Sequence, residues 1–180
     1  MTALFAAALA AALPHITPTV VLVSKADAVR QIVPNAQTFT AREVHLSEAD
    51  AQRLHGAVDW SPENGVLTFY SGKRGAQVLG TFLFVRVDSP HGPVEVAVGF
   101  GPQRTVRKVI VTKATVETKP WVQEVLEAGL LAHYEGLEPG ASPAAASQVA
   151  TEVGKMPAYM AEQIDTGVAR ALAAYAAFAA

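Results

Sequence analysis

A carboxylate and a hydroxyl stand side by side at Glu117-Thr118, where a β-branched run ends and Lys119-Pro120 opens a helical pattern. A carboxylate so placed can accept hydrogen bonds from a ligand or pair with a cation, and a threonine hydroxyl can donate to or accept from a ligand oxygen. The same residues also suit a structural task, since Thr caps helix starts and Pro is favoured in the first turn. Both readings stand at this point. The other groups that carry chemistry are scattered. His15, His45, His55, His91 and His133 include no pair four residues apart that would turn two imidazoles toward one metal. Ser142 and Ser147 lie in an Ala/Pro-rich stretch with no nucleophile elbow, which leaves a hydrolase triad without support. Gly72, Gly75, Gly80, Gly99 and Gly101 fall at predicted strand ends and turns, and none opens a phosphate loop before a helix. The chain has no cysteine, which removes thiolate nucleophiles, disulfides, iron–sulfur ligation and c-type haem attachment.

The elements that must position Glu117-Thr118 follow from periodicity and punctuation. Lys25 to Val33 reads as a short helix stopped by Pro34. Ser47 caps a second helix over Glu48 to Leu54, with acidic residues in its first turn and Gly56 past its end. Four strands follow at Val66 to Tyr70, Gln77 to Val87, Val94 to Phe100 and Thr105 to Val116, parted by turn signals at Ser71-Gly72, His91-Gly92 and Gly101-Pro102. In the second strand Phe82 and Phe84 face one way and Leu83, Val85 and Val87 the other, so a central position is expected. In the third, Val94, Val96 and Val98 alternate with Glu95, Ala97 and Gly99, which predicts one face nearer water. Trp60, Trp121, Phe69 and Tyr70 are expected in the core. Val122, Val125, Leu126 and Leu130 recur at helical spacing, as do Met160, Ile164, Val168, Ala171 and Tyr175 in a longer helix. On that helix Glu162, Gln163, Asp165, Thr166 and Arg170 lie off the stripe and should meet solvent or a partner. Helices, then strands, then helices imply an α+β domain with a mainly antiparallel sheet flanked by helices.

Composition narrows the function classes. The chain has 180 residues, of which 51% are hydrophobic and 17% charged, enough for one ordinary core. A net charge of −2 and no large basic field argue against nucleic acid as a partner. Residues 3–13 are unbroken Ala, Leu and Phe, and after Pro14 and Pro18 the chain resumes with Val20-Val21-Leu22-Val23 before the first charge at Lys25. The short run with Ala10 and Ala12 suits a signal peptide, but a basic n-region is missing. Taken whole, Thr2 to Ser24 has the roughly 20 residues that cross a bilayer. The favoured expectation is an uncleaved anchor over residues 1–24 and one domain over 25–180. Lys25 and Arg30 after the run would keep the domain cytoplasmic by the positive-inside rule. At the other end no charge follows Arg170, so the Ala-rich tail and the Gly140 to Ser147 loop are expected to dock on a partner, unless Tyr175 and Phe178 fold back on the domain's own sheet.

The stretch from Lys108 to Gly140 resembles the FMN-binding domain family, found in the C subunit of the sodium-pumping NADH:quinone reductase and the G subunit of the Rnf electron-transport complex. There a strand ending in a Glu-Thr-Pro-Gly motif leads into the flavin pocket, and a later Ser-Gly-Ala-Thr segment carries FMN covalently on its threonine. Glu117-Thr118 matches the first motif, and Val168-Ala169-Arg170-Ala171-Leu172 fits the end of the family's final helix. Counting back puts Lys155, Met156, Pro157 and Ala158 where Ser-Gly-Ala-Thr would stand, and alanine has no hydroxyl to form a phosphoester. A shifted alignment onto Thr151 would replace the glycine by Val149 and the serine by Gln148. The resemblance therefore implies a degenerate member without covalent FMN: a noncatalytic accessory subunit of a respiratory or photosynthetic membrane complex, with a periplasmic domain and one membrane helix. Its alternative is an electron carrier that holds FMN noncovalently near Glu117 and Thr118. A secreted solute-binding module is weaker, because nothing marks a ligand pocket.

Overall fold

A computed structural model describes residues 17–179. Six strands, β1 (Thr19–Val21), β2 (Thr38–His45), β3 (Val66–Arg74), β4 (Gln77–Val87), β5 (Val94–Phe100) and β6 (Val106–Thr115), form one sheet in the order β1-β6-β5-β4-β3-β2. Every neighbouring pair is antiparallel. The helices are α1 (Lys25–Ile32), α2 (Glu48–Val58), α3 (Lys119–Glu127), α4 (Ala145–Val149) and α5 (Lys155–Phe178). The expected α+β class with an antiparallel sheet flanked by helices is thus observed.

The sheet buries both faces unequally. On one side Leu83, Val85, Val96, Val98 and Val111 meet α5, whose stripe of Met160, Ile164, Val168, Ala171 and Tyr175 is buried as its spacing predicts. Gly167 lets α5 approach closely, since a Cβ there would lie 2.7 Å from Val96 Cγ2. At the far end of α5, Tyr175 stacks on Phe100 with centroids 3.7 Å apart, so that part of the tail belongs to the domain's own core. On the other side the smaller α1 packs Ala28, Ile32 and Val33 over Phe82, Ala97 and Ile110. β4 is central and apolar on both faces, as expected.

Several expectations are corrected. The water-facing side of β5 is covered, because Ile32 of α1 sits where a side chain on Gly99 would project. β3 continues through Ser71-Gly72 with a bulge at Gly72/Lys73, and the turn falls at Gly75, whose φ is +57°. Gly72 marks the contact with α1, where a Cβ would lie 2.7 Å from Val33 Cγ1. α2 runs past Gly56 to Val58 and ends on Asp59 in the left-handed region. β2 gives no apolar stripe to read, because nearly all of it is exposed.

Asp165 is half-buried and engaged within the fold. Its carboxylate accepts from the Tyr134 hydroxyl at 2.6 Å and from the Ala146 N–H at 3.0 Å, tying α4 and the turn at Leu130–Tyr134 to α5. Burial first, and then the neighbouring Asp165, push the Tyr134 hydroxyl far above its ordinary pKa. Arg170 also turns inward, donating at 3.4 Å to the carbonyls of Arg86 and Asp59.

The anchor boundary moves as well. Val20 and Val21, expected inside the anchor, lie in β1, where Thr19↔Thr115 and Val21↔Lys113 pair with β6. A short β-branched run cannot be told from a helix segment by periodicity alone, and Pro18 precedes it. The domain therefore includes residues 17–24. The rest of the expected anchor lies outside the described residues, and none of the described helices is long and apolar enough to cross a membrane.

Candidate functional site

Glu117 and Thr118 follow the last rung of β6 and lead directly into α3. Thr118 is fully buried and occupies the N-cap position, but its side chain does not cap the helix. Its hydroxyl oxygen instead accepts from the Thr115 N–H at 3.1 Å, while the Thr118 N–H donates to Thr115 Oγ1 at 3.1 Å. The two hydroxyls are 2.9 Å apart, and Thr115 Oγ1 donates to the His91 carbonyl at 3.2 Å. Since each hydroxyl carries one proton, Thr118 must be the donor within that pair. Its proton is committed inside the fold.

Glu117 points outward. Its Oε1 lies 3.0 Å from His91 Nδ1, with the two side chains 37% and 36% exposed, and its Oε2 is 3.5 Å from Thr17 Oγ1. The His91 ring stands edge-on to Trp121 and Tyr159, at 5.2 and 5.7 Å between centroids. The turn that carries His91 is pressed onto β6: Gly92 has φ +94°, and a Cβ there would run into Thr115 Cγ2. His91 is 26 residues from Glu117 in sequence, so no spacing rule finds this pair.

A histidine bonded through Nδ1 to a carboxylate leaves Nε2 as its remaining polar atom, the layout of a general base. The nearest serine and threonine hydroxyls of that turn and of β6 are taken up inside the fold. Ser89 Oγ donates to the Gly92 carbonyl at 2.8 Å, and the Thr115 hydroxyl is already engaged. Among the described residues no group of three or more His, Asp or Glu side chains is placed to hold a metal ion.

The residues here do not fit FMN. Thr118 offers no free proton, and the Glu117 carboxylate would repel a phosphate. At the start of α5, where the resemblance would put the attachment segment, Glu124 Oε1 accepts from the Gly154 N–H at 2.7 Å, and Pro157 has no N–H to give. A carboxylate of the chain itself thus takes the N–H of the residue that caps this helix start. No chemical step is assigned to a flavin.

A separate opening lies in the sheet. The β3–β4 ladder runs only from Tyr70↔Phe82 to Arg74↔Gln77, beyond which Val66–Phe69 and Leu83–Val87 part. The gap is a cleft of about 750 Å³, walled by Thr68 and Tyr70 on one side and Phe84 and Arg86 on the other, with Trp60 and Glu63 at its end. Neither Glu117 nor Thr118 lines it.

No protein-family model matches the chain. No curated protein matches it either.

Proposed function

We propose that this chain is a noncatalytic accessory subunit of a membrane electron-transfer complex, built on a flavin-domain-like fold that no longer holds FMN. The observation that carries this reading is the use of the Glu117-Thr118 junction and of the start of α5 for the domain's own bonds: Thr118 to Thr115, Glu117 to His91, and Glu124 to Gly154. Groups that would meet a cofactor in the resembling family are spent on holding elements together. The choice of a membrane electron-transfer partner rests on the resemblance around Glu117-Thr118.

Purification from native membranes tests the proposal. The chain should copurify with larger redox subunits, stay with the membrane through a high-salt wash, and leave no fluorescent band after denaturing electrophoresis. A fluorescent band at its own size would overturn the absence of covalent flavin. A flavin spectrum released on denaturation would favour the carrier with noncovalent FMN. Release of the chain alone into soluble extract would overturn the accessory role.

A further inference from the structure

The cleft between β3 and β4 is built from strand edges. Central strands normally pair on both sides, because backbone N–H and C=O groups removed from water need partners. β4 keeps its rungs to β5 from Thr81↔Phe100 to Val87↔Val94, yet toward β3 its ladder stops at Phe82. β3 likewise keeps its rungs to β2 from Val66 onward. Each edge is thus held straight by its outer neighbour while facing the cleft without a strand. Side chains narrow the gap: the Tyr70 and Phe84 rings pack edge-on across it with centroids 5.7 Å apart, and Arg170 reaches the carbonyls of Arg86 on β4 and of Asp59 at the end of α2, both at 3.4 Å, beside Trp60. Its Nε is buried with no hydrogen-bond partner among the described residues.

The cleft's chemistry is equally particular. Lys25 lies over the Phe84 ring and 3.9 Å from Glu95, and Arg86 is 2.7 Å from Asp88. Both cations of the lining are therefore matched by acidic neighbours. Glu63 is exposed at the cleft's end and forms no ion pair among the described residues. The lining carries three carboxylates, Glu63, Asp88 and Glu95, against Lys25 and Arg86, and since Lys113 also pairs with Glu95 at 3.2 Å, Glu63 is the carboxylate of the lining without a cation among the described residues.

We propose that this cleft receives an extended segment of a partner polypeptide, about four residues long at the spacing of a strand, which supplies the rungs missing between β3 and β4 and sets a Lys or Arg side chain against Glu63. Strand addition uses main-chain bonds for affinity and alternate side chains for selectivity. Tyr70 and Phe84 would line its outward side chains, and Leu67 and Leu83 its inward ones. The inference rests on the reading of the chain as a docking subunit, and on none of its claims about flavin or membrane.

The test uses the full chain and three labelled heptapeptides: one alternating Val and Lys, one alternating Val and Glu, and the Val/Lys peptide with alternate amides N-methylated. Fluorescence anisotropy reads binding, and amide hydrogen exchange reads its place. The Val/Lys peptide should bind and slow exchange within Val66–Phe69 and Leu83–Val87, the N-methylated peptide should fail, and Glu63→Gln should weaken binding about five-fold, the scale of an exposed ion pair. Equal binding of the Val/Glu peptide, no binding, or protection elsewhere in the sheet would overturn the proposal. So would full competition by tetramethylammonium, which would mark a simple cation site. Copurification with redox subunits but no peptide binding would sink this inference alone, whereas peptide binding by a chain that leaves native membranes unaccompanied would sink only the assembly reading.

Discussion

The β6–α3 junction and the β3–β4 opening sit in one sheet and treat their polar groups in opposite ways. At the junction, Thr115 and Thr118 exchange backbone and hydroxyl bonds in a closed set, and Gly92 is packed so tightly that it has no room for a methyl group. At the opening, two strand segments stop pairing and leave a wide, charged cleft. The sequence pointed to the first region for function. The lesson is that a motif whose polar groups bond to one another marks architecture.

The sharpest way to break this contrast is Gly92→Ala. It adds a Cβ against Thr115 to a residue in the left-handed region, and the strain and overpacking together should cost about 3 kcal/mol by chemical denaturation. A change within 0.5 kcal/mol would mean that the turn is not pressed on β6 as described. Next is Thr118→Val, which leaves the buried Thr115 N–H without its acceptor and should cost about 2 kcal/mol.

Tyr134→Phe extends the comparison to a second closed set. Losing the hydroxyl bond to Asp165 should cost about 1.5 kcal/mol at neutral pH. The Tyr134 pKa is raised in the folded state, so its contribution is complete below the ordinary tyrosine value of 10.0 and is lost as pH rises above it. Wild-type stability should therefore fall more steeply above pH 10 than that of the Phe variant. Parallel curves would remove Tyr134 from the account.

The smallest effect belongs to the opening. Thr68→Val, on the cleft wall, should change stability by no more than about 0.5 kcal/mol. In the unmodified chain, amides of Leu83–Val87 that face the cleft should exchange faster than those of β5, although both strands are central. Equal protection would indicate that the cleft closes in solution.

Much of the scaffold was legible in the residues. β4 and β5 begin and end where their apolar runs and flanking turn residues put them, and the stripe from Met160 to Tyr175 named the buried face of α5. What escaped has physical reasons. β2 is an exposed edge strand with nothing apolar to alternate, and β1 is too short to distinguish from the run before it. Asp165 and Arg170 lie off the apolar stripe, yet their partners come from the Leu130–Tyr134 turn, α4 and the ends of α2 and β4, which pattern on one helix cannot disclose. Of the candidate site, the junction was found and its inner workings were not: His91 reaches Glu117 only through the β4–β5 connection. The cleft left no trace in sequence, since the point where two strands stop pairing is a property of register and twist.

The edge strand β1 gives the domain a mechanical character. Three residue pairs, Thr19↔Thr115 to Val21↔Lys113, join it to β6, and the seam is extended by Val116 N–H to Pro18 C=O at one end and by Leu22 and Val23 N–H to Thr112 C=O at the other. A load arriving at residue 17 from the preceding chain would meet that seam before it met the core. Pulled along the strand, its bonds share the force in shear. Pulled away from the sheet, they peel one after another, and the seam yields as a fuse while the remaining five strands stay paired.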